Sequence, residues 1–243
     1  MLVIMKNIAL IIAGGSGKRM GQDIPKQFIN VYNKPVLIYT LENFEKHPMI
    51  DKIELVCIDG WHDAVKAYAK QFNITKLEWI VSGGLSGQES IRNGVYNLEG
   101  KCNDDDNIII HDGVRPLVDE EVLTDVITKC NKYGNAVSSM PYNEQIFIKK
   151  DDETTEKYIP RETLMRVVTP QAYKFKILYE KYHEAFEKKI GIYGSSYTNT
   201  MMVELGETLH FAAGSEKNIK LTTKDNLEMF KAYLKQDNEN WLK

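Results

Sequence analysis

A cluster of glycines and cations near the start of the chain carries its clearest chemistry. An apolar run at residues 8–12 opens into Ala13-Gly14-Gly15-Ser16-Gly17-Lys18-Arg19-Met20, and Pro25-Lys26-Gln27-Phe28 follows. Glycines let backbone N–H groups approach an anion closely, and Lys18, Arg19 and Lys26 can neutralise a triphosphate. Two familiar phosphate loops do not fit the spacing. The P-loop requires G-x-x-x-x-G-K-[ST], and the dinucleotide fingerprint would place its third glycine on Met20. A glycine cluster alone also describes a tight turn; the cations around it favour a ligand.

A second group lies in His111-Asp112-Gly113-Val114-Arg115-Pro116, directly after three isoleucines. A carboxylate at the tip of a buried strand suits Mg²⁺, which takes one or two carboxylates together with phosphate oxygens; capping a helix is its bland alternative. His111 reads as a packed, hydrogen-bonded strand residue. Arg115 either grips a substrate phosphate or pairs with Asp112. In Asn218-Ile219-Lys220-Leu221-Thr222, a short strand by its pattern, Lys220 points away from Ile219 and Leu221. Solvated, that lysine does nothing. Turned toward the loops, it would stabilise an α-phosphate in a phosphoryl transfer while Arg19 and Lys26 stabilise the departing pyrophosphate.

These groups need a scaffold, and 243 residues, 43% hydrophobic and 27% charged, provide for a single domain over 1–243. A net charge of −3 excludes a general nucleic-acid binder and favours a small anionic ligand. Cys57, Cys102 and Cys130 form no C-x-x-C pair, so reduced structural thiols are expected. No stretch nears the roughly 20 apolar residues of a membrane span, and a cytoplasmic protein without membrane partners is expected.

Apolar runs at 8–12, 53–58, 77–81 and 108–111 alternate with helical patterns at 35–47, 62–72, 88–98 and 120–133. The alternation predicts an α/β fold with a mostly parallel, Rossmann-like sheet covered on both faces. Ligands of such sheets bind at the carboxyl ends of the strands, where the glycine loop, Ser82-Gly83-Gly84 and His111-Asp112 all fall. Residues 140–165 break the rhythm. Alternation in Gln145-Ile146-Phe147-Ile148-Lys149, an acidic tip at Asp151-Asp152-Glu153 and a return through Lys157-Tyr158-Ile159 predict a projecting β-arm that packs on a second subunit. Asp104-Asp105-Asp106 reads as a solvated turn.

Together these segments resemble the cytidylyltransferase family that contains 2-C-methyl-D-erythritol 4-phosphate cytidylyltransferase and ribitol-5-phosphate cytidylyltransferase. The likeness runs from Ala13 to Thr222 and includes, in order, the glycine loop with Pro25-Lys26-Gln27, Gly83-Gly84 with Ser90, the H-D-x-x-R-P segment, Thr169-Pro170-Gln171 and Asn218-Ile219-Lys220. The resemblance implies a nucleotidyltransferase-type fold and transfer of CMP from CTP to a polyol phosphate in a homodimer. It implies Ala13, Gly14, Gly15, Ser16, Gly17, Gly83 and Ser90 around the nucleotide, and Mg²⁺ on Asp112. Arg19, Lys26 and Lys220 would carry the transition-state charge. Arg115 and Thr169 would lie beside the substrates, and Arg161 at the base of the arm would reach the partner's polyol phosphate.

Departures from the family pattern fall at Leu85-Ser86-Gly87-Gln88, where an arginine is usual, at Glu144-Gln145 in place of Asp-Thr, at Tyr197-Thr198-Asn199-Thr200, within an expected loop over 193–202, in place of an acidic motif, and at Lys217 in place of an aspartate. Trp61 and Phe72-Asn73-Ile74-Thr75 are similar to the ribitol branch, whose products enter envelope or capsule polymers. The expected acceptor is therefore ribitol 5-phosphate or a related linear polyol phosphate, with methylerythritol phosphate as the alternative. A sugar-1-phosphate nucleotidyltransferase and a non-catalytic CTP-binding protein stand behind these.

Overall fold

Seven residues, Asn7–Ala13, form strand β1 because nearly all of them are apolar and buried on both faces, the pattern of a central strand in a parallel sheet. The computed structural model describes residues 5–15, 24–194 and 197–240. After β1 come a small antiparallel pair, β2 (Asn30–Val31) and β3 (Lys34–Pro35), then α1 (Val36–Lys46), β4 (Lys52–Cys57), α2 (His62–Gln71), β5 (Leu77–Ser82) and α3 (Gly87–Asn97). The chain continues through β6 (Asn107–Asp112), α4 (Glu120–Tyr133), β7 (Asn135–Pro141), β8 (Ile146–Lys149), β9 (Thr155–Ile159) and β10 (Met165–Lys174). It ends with α5 (Phe175–Lys188), α6 (Thr198–Glu204), β11 (Phe211–Ala213) and α7 (Lys224–Asn240).

The main sheet has the order β11-β7-β10-β6-β1-β4-β5. Its pairs are parallel except those of β10, which runs antiparallel to both β6 and β7. Alternate residues of β1 feed two cores. Ala9, Ile11 and Ala13 pack with residues of α1, α2 and α4, whereas Ile8 and Leu10 pack with residues of α3, α5 and α6. At Gly94 on α3 a Cβ would come within 2.5 Å of Leu10 Cδ1, so the missing side chain lets that helix lie close on the sheet. Phe230 of α7 closes a third cluster with Val31, Val36, Val114 and Leu221, beside the carboxyl end of β6.

The arm is a two-stranded sheet in which β8 and β9 pair with each other and with no other described strand. Phe147, Ile148 and Tyr158 stand exposed on it, and the Asp151 side chain closes the acidic tip by accepting from the backbone of Glu153 and Thr154.

Three expectations need correction. Residues 218–222 form no strand: their course is irregular and is fixed by long-range bonds, such as Leu221 N–H to Val114 O at 2.9 Å. Asp106 is not solvated, because its carboxylate is buried and accepts from Lys6 N–H at 2.7 Å and Asn103 N–H at 2.8 Å, tying the turn to β1. The segment through 193–202, expected as a loop, becomes helical at Thr198.

Candidate active site

The carboxyl ends of β1 and β6 open onto a cleft of about 780 Å³. Ala13, Gly14, Gly15, Lys26, Ser90, Asp112, Arg115, Thr169 and Lys220 line it, so nine of the residues singled out in the sequence meet there. Ser16, Gly17 and Arg19 lie outside the described residues. Gly83 stands just behind the lining and Gly84 takes its place. Arg161 does not line the cleft of its own chain: half-exposed at the base of the arm, it donates to Asn143 O at 3.3 Å and faces Glu162.

On the nucleotide side, two backbones meet face to face. A Cβ on Gly14 would lie 3.2 Å from Gly83 Cα, and one on Gly83 would lie 3.1 Å from Gly14 Cα, so a side chain at either position would push the facing backbone back by a few tenths of an ångström. Ser90 is buried, with its hydroxyl accepting from Gly84 N–H at 3.0 Å and donating to Ser86 O at 2.9 Å. Ser86 caps α3 in a reciprocal pair with Glu89, whose carboxylate also accepts from Leu85 N–H. The loop is therefore set by its own helix start. Gln27, buried beside Lys26, donates from Nε2 to Ala13 O at 2.7 Å and Gly15 O at 3.0 Å and fixes the glycine turn from behind.

Asp112 sits between two cations. Lys220 Nζ donates to Oδ1 at 2.9 Å and Arg115 Nε to Oδ2 at 2.8 Å. Burial opposes the charge, yet the Lys220 ammonium and the Arg115 guanidinium hold the carboxyl well below the usual carboxylate range. Thr169 Oγ1 accepts from Asp112 N–H at 3.2 Å. This contact arises because antiparallel β10 brings its residue 169 level with the end of β6. Of the two readings of Arg115, pairing with Asp112 is the geometry observed; the helix cap is excluded for Asp112, which ends a strand. His111 is buried and packed on Phe44, as expected, with Nε2 at 3.0 Å from Arg115 O. Burial lowers it to about 4, which leaves a neutral ring.

No group of three or more His, Cys, Asp or Glu suited to a metal occurs among the described residues. Asp112 is thus the carboxylate the cleft offers, which fits Mg²⁺ completing its shell with phosphate oxygens and water.

The opposite wall contains residues to which sequence reasoning gave no role. Tyr197, Thr198 and Asn199 line the cleft, and the Tyr197 ring lies 5.8 Å from Lys220 Nζ. Thr198 is anchored from beneath: its hydroxyl hydrogen-bonds the Tyr182 hydroxyl at 2.7 Å, and Tyr182 donates to Gln88 Oε1 at 3.0 Å. Gln88 Nε2 donates to Gly191 O at 2.6 Å. Gln88, where an arginine was sought, is therefore spent inside the fold, while Leu85 is fully exposed. A lone tyrosine on a helix gives no signal of such a contact; the departure at 197–200 was the available clue.

All three cysteines are free, and burial pushes Cys57 up to about 11 and Cys102 and Cys130 up to about 12. Among the described residues no helix is long and apolar enough to cross a membrane.

Comparison with known proteins bears on this site. The family model described as 2-C-methyl-D-erythritol 4-phosphate cytidylyltransferase matches residues 7–236. A ribitol-5-phosphate cytidylyltransferase of Lacticaseibacillus paracasei is 59% identical over 228 residues, covering 94% of this chain and 97% of that one. A ribitol-5-phosphate cytidylyltransferase of Vibrio parahaemolyticus is 35% identical, covering 94% and 95%. A 2-C-methyl-D-erythritol 4-phosphate cytidylyltransferase of Clostridium tetani is 33% identical, covering 97% and 93%. Among solved structures, the 4-diphosphocytidyl-2C-methyl-D-erythritol synthase of Anaerococcus prevotii superposes with a TM-score of 0.80 at 24% identity, over 95% of this chain and 99% of that one, a likeness of fold.

Proposed function

The chain belongs to the 2-C-methyl-D-erythritol 4-phosphate cytidylyltransferase family and is a cytidylyltransferase, and we propose ribitol 5-phosphate as its acceptor. The observation that carries the acceptor is the gap between 59% identity to a ribitol-5-phosphate cytidylyltransferase and 33% to a methylerythritol-phosphate one. Trp61 and Phe72-Asn73-Ile74-Thr75, which are similar to segments of the ribitol branch, support the same acceptor.

In the proposed reaction an oxygen of the polyol phosphate attacks the α-phosphorus of CTP in line. The bond from that phosphorus to the bridging oxygen of the β-phosphate breaks, giving CDP-ribitol and pyrophosphate. Ala13, Gly14, Gly15 and Ser90, with Gly83 behind them, would hold the nucleotide, the shape of the facing glycine backbones supporting this role. Lys26, and Arg19 with it, would stabilise the leaving pyrophosphate. Lys220 would turn from Asp112 to the α-phosphate as its charge grows. Asp112 would hold Mg²⁺, which when bound neutralises triphosphate charge. Arg115 would keep the Asp112 carboxylate in place, and Thr169 would steady the end of its strand.

Arg161 would serve the neighbouring subunit's site in a homodimer joined through the arm; the exposed Phe147, Ile148 and Tyr158 support that docking. The CDP-ribitol would feed an envelope or capsule polymer, made in the cytoplasm.

The test is Mg²⁺-dependent pyrophosphate release from CTP with ribitol, arabinitol, mannitol, glycerol and methylerythritol phosphates. Ribitol 5-phosphate is expected to be turned over fastest; faster turnover of methylerythritol phosphate would overturn the assignment.

A further inference from the structure

Asp112, Arg115 and Lys220 come from two separate stretches of chain, and one side chain outside the proposed chemistry joins both to a third. Asn218 is 3% exposed. Its Nδ2 donates to Thr169 O at 2.7 Å, and its own backbone carbonyl accepts from Arg115 Nη1 at 2.7 Å. Arg115 in turn holds Asp112, whose N–H returns to Thr169 Oγ1. The four residues close a ring of hydrogen bonds, and Lys220, two positions beyond Asn218, meets Asp112 on its other oxygen.

The 218–222 segment has no strand ladder to fix it. Its placement next to the reacting groups is set by the Asn218 amide and the Arg115 bond to the Asn218 carbonyl at one end, and at the other by Leu221 N–H to Val114 O, the burial of Leu221 and the bonds of Thr222 to Asn226. The amide holds only one hydrogen-bond acceptor, and its Oδ1 is buried without a protein partner, an expense that packing alone does not require.

We propose that Asn218 is a positioning residue: it clamps the segment to Thr169 and thereby sets Arg115 and Lys220 on opposite oxygens of Asp112. This rests on the cytidylyltransferase reading of the same cleft. A misplacement of about 1 Å in such an arrangement costs on the order of 100-fold in rate.

The test measures kcat and both KM values for Asn218→Ala and Asn218→Asp, alone and combined with Lys220→Ala, alongside thermal melts. The aspartate keeps the size and removes the donor. The expected result is a folded protein whose kcat falls about 100-fold with KM for CTP nearly unchanged, and a smaller further loss in the Lys220→Ala background, because part of the clamp's effect passes through that lysine. A merely structural role would give equal losses in both backgrounds. That outcome, a kcat near wild type in either folded variant, or failure of both variants to fold, would overturn the proposal. Should the wild type prefer another polyol phosphate, the ribitol assignment falls and the Asn218 comparison is read on that acceptor.

Discussion

Lys220 Nζ and Asp112 Oδ1 are 2.9 Å apart, so the lysine proposed to reach the α-phosphate is held by the carboxylate proposed to reach the metal. In the proposed reaction this ion pair would be exchanged for contacts with the triphosphate and its cation. The side chains are 31% and 20% exposed, wet enough for the exchange and dry enough for the charges to matter.

Asp112→Asn tests that relationship. The carboxyl is held below its ordinary 3.8, so the stability it contributes is present above that value and is lost as pH falls toward the native one. The variant is expected to be less stable than wild type by about 1–3 kcal/mol at pH 7, with the difference shrinking below about pH 4. Its kcat should fall by about 100-fold or more. Thermal melts from pH 3 to 7 and initial rates at saturating CTP check both.

Tyr182→Phe removes the hydroxyl between Gln88 and Thr198. Gln88 Oε1 is left without that donor in a buried site, a cost of about 1–3 kcal/mol in urea unfolding. Thr198 lines the cleft, and with the acceptor proposed to lie against the 197–199 wall its release should also raise KM for the acceptor more than kcat falls; equal effects on both substrates would argue against that placement.

Much of this arrangement was legible because β1, β4 and β6 are buried strands whose apolar runs end abruptly in Gly14, Ile58-Asp59 and Asp112. An apolar run fixes a strand locally, and the polar or glycine residue that ends it marks the sheet edge where ligands bind. Lys220 was a different case. Its alternation resembled a strand, but its partners lie far away in sequence at Asp112 and, through Leu221, at Val114, and no local pattern encodes contacts of that range. Asp106 was misjudged for the same reason, since the backbone group it binds belongs to Lys6, a hundred residues earlier. Gln27 reads in the sequence only as part of a motif, because only the folded turn brings two carbonyls within reach of one amide.

Glu54 on β4 gives a prediction independent of the cleft. It is fully buried, accepts from Asn97 Nδ2 at 3.1 Å, and burial raises it to about 8. Its native value exceeds the ordinary 4.5, so the native state holds a proton that the unfolded chain has lost, and stability falls as pH rises between the two by about 1.4 kcal/mol per unit. Glu54→Gln keeps the shape and the acceptor. The melting temperature of the variant should exceed that of wild type at pH 8 and approach it near pH 4.5; parallel pH profiles would show that Glu54 is ionised in the fold.

Arg161 is absent from the lining of its own cleft and sits where the arm leaves the sheet, so its proposed role requires a second subunit. Arg161→Ala and Lys220→Ala proteins should each retain only a small, measurable fraction of the activity alone. In a mixed dimer one site combines both defects and the other has neither. Equal mixing makes half of the dimers mixed, each with one intact site, so recovery should approach roughly a quarter of wild-type activity. A Phe147→Ser, Tyr158→Ser double variant should weaken the dimer in sedimentation and remove the recovery, since it strips the apolar side chains from the arm. Confirmed subunit exchange without recovery would place the whole site within one chain, and Arg161 would then be a surface residue paired with Glu162.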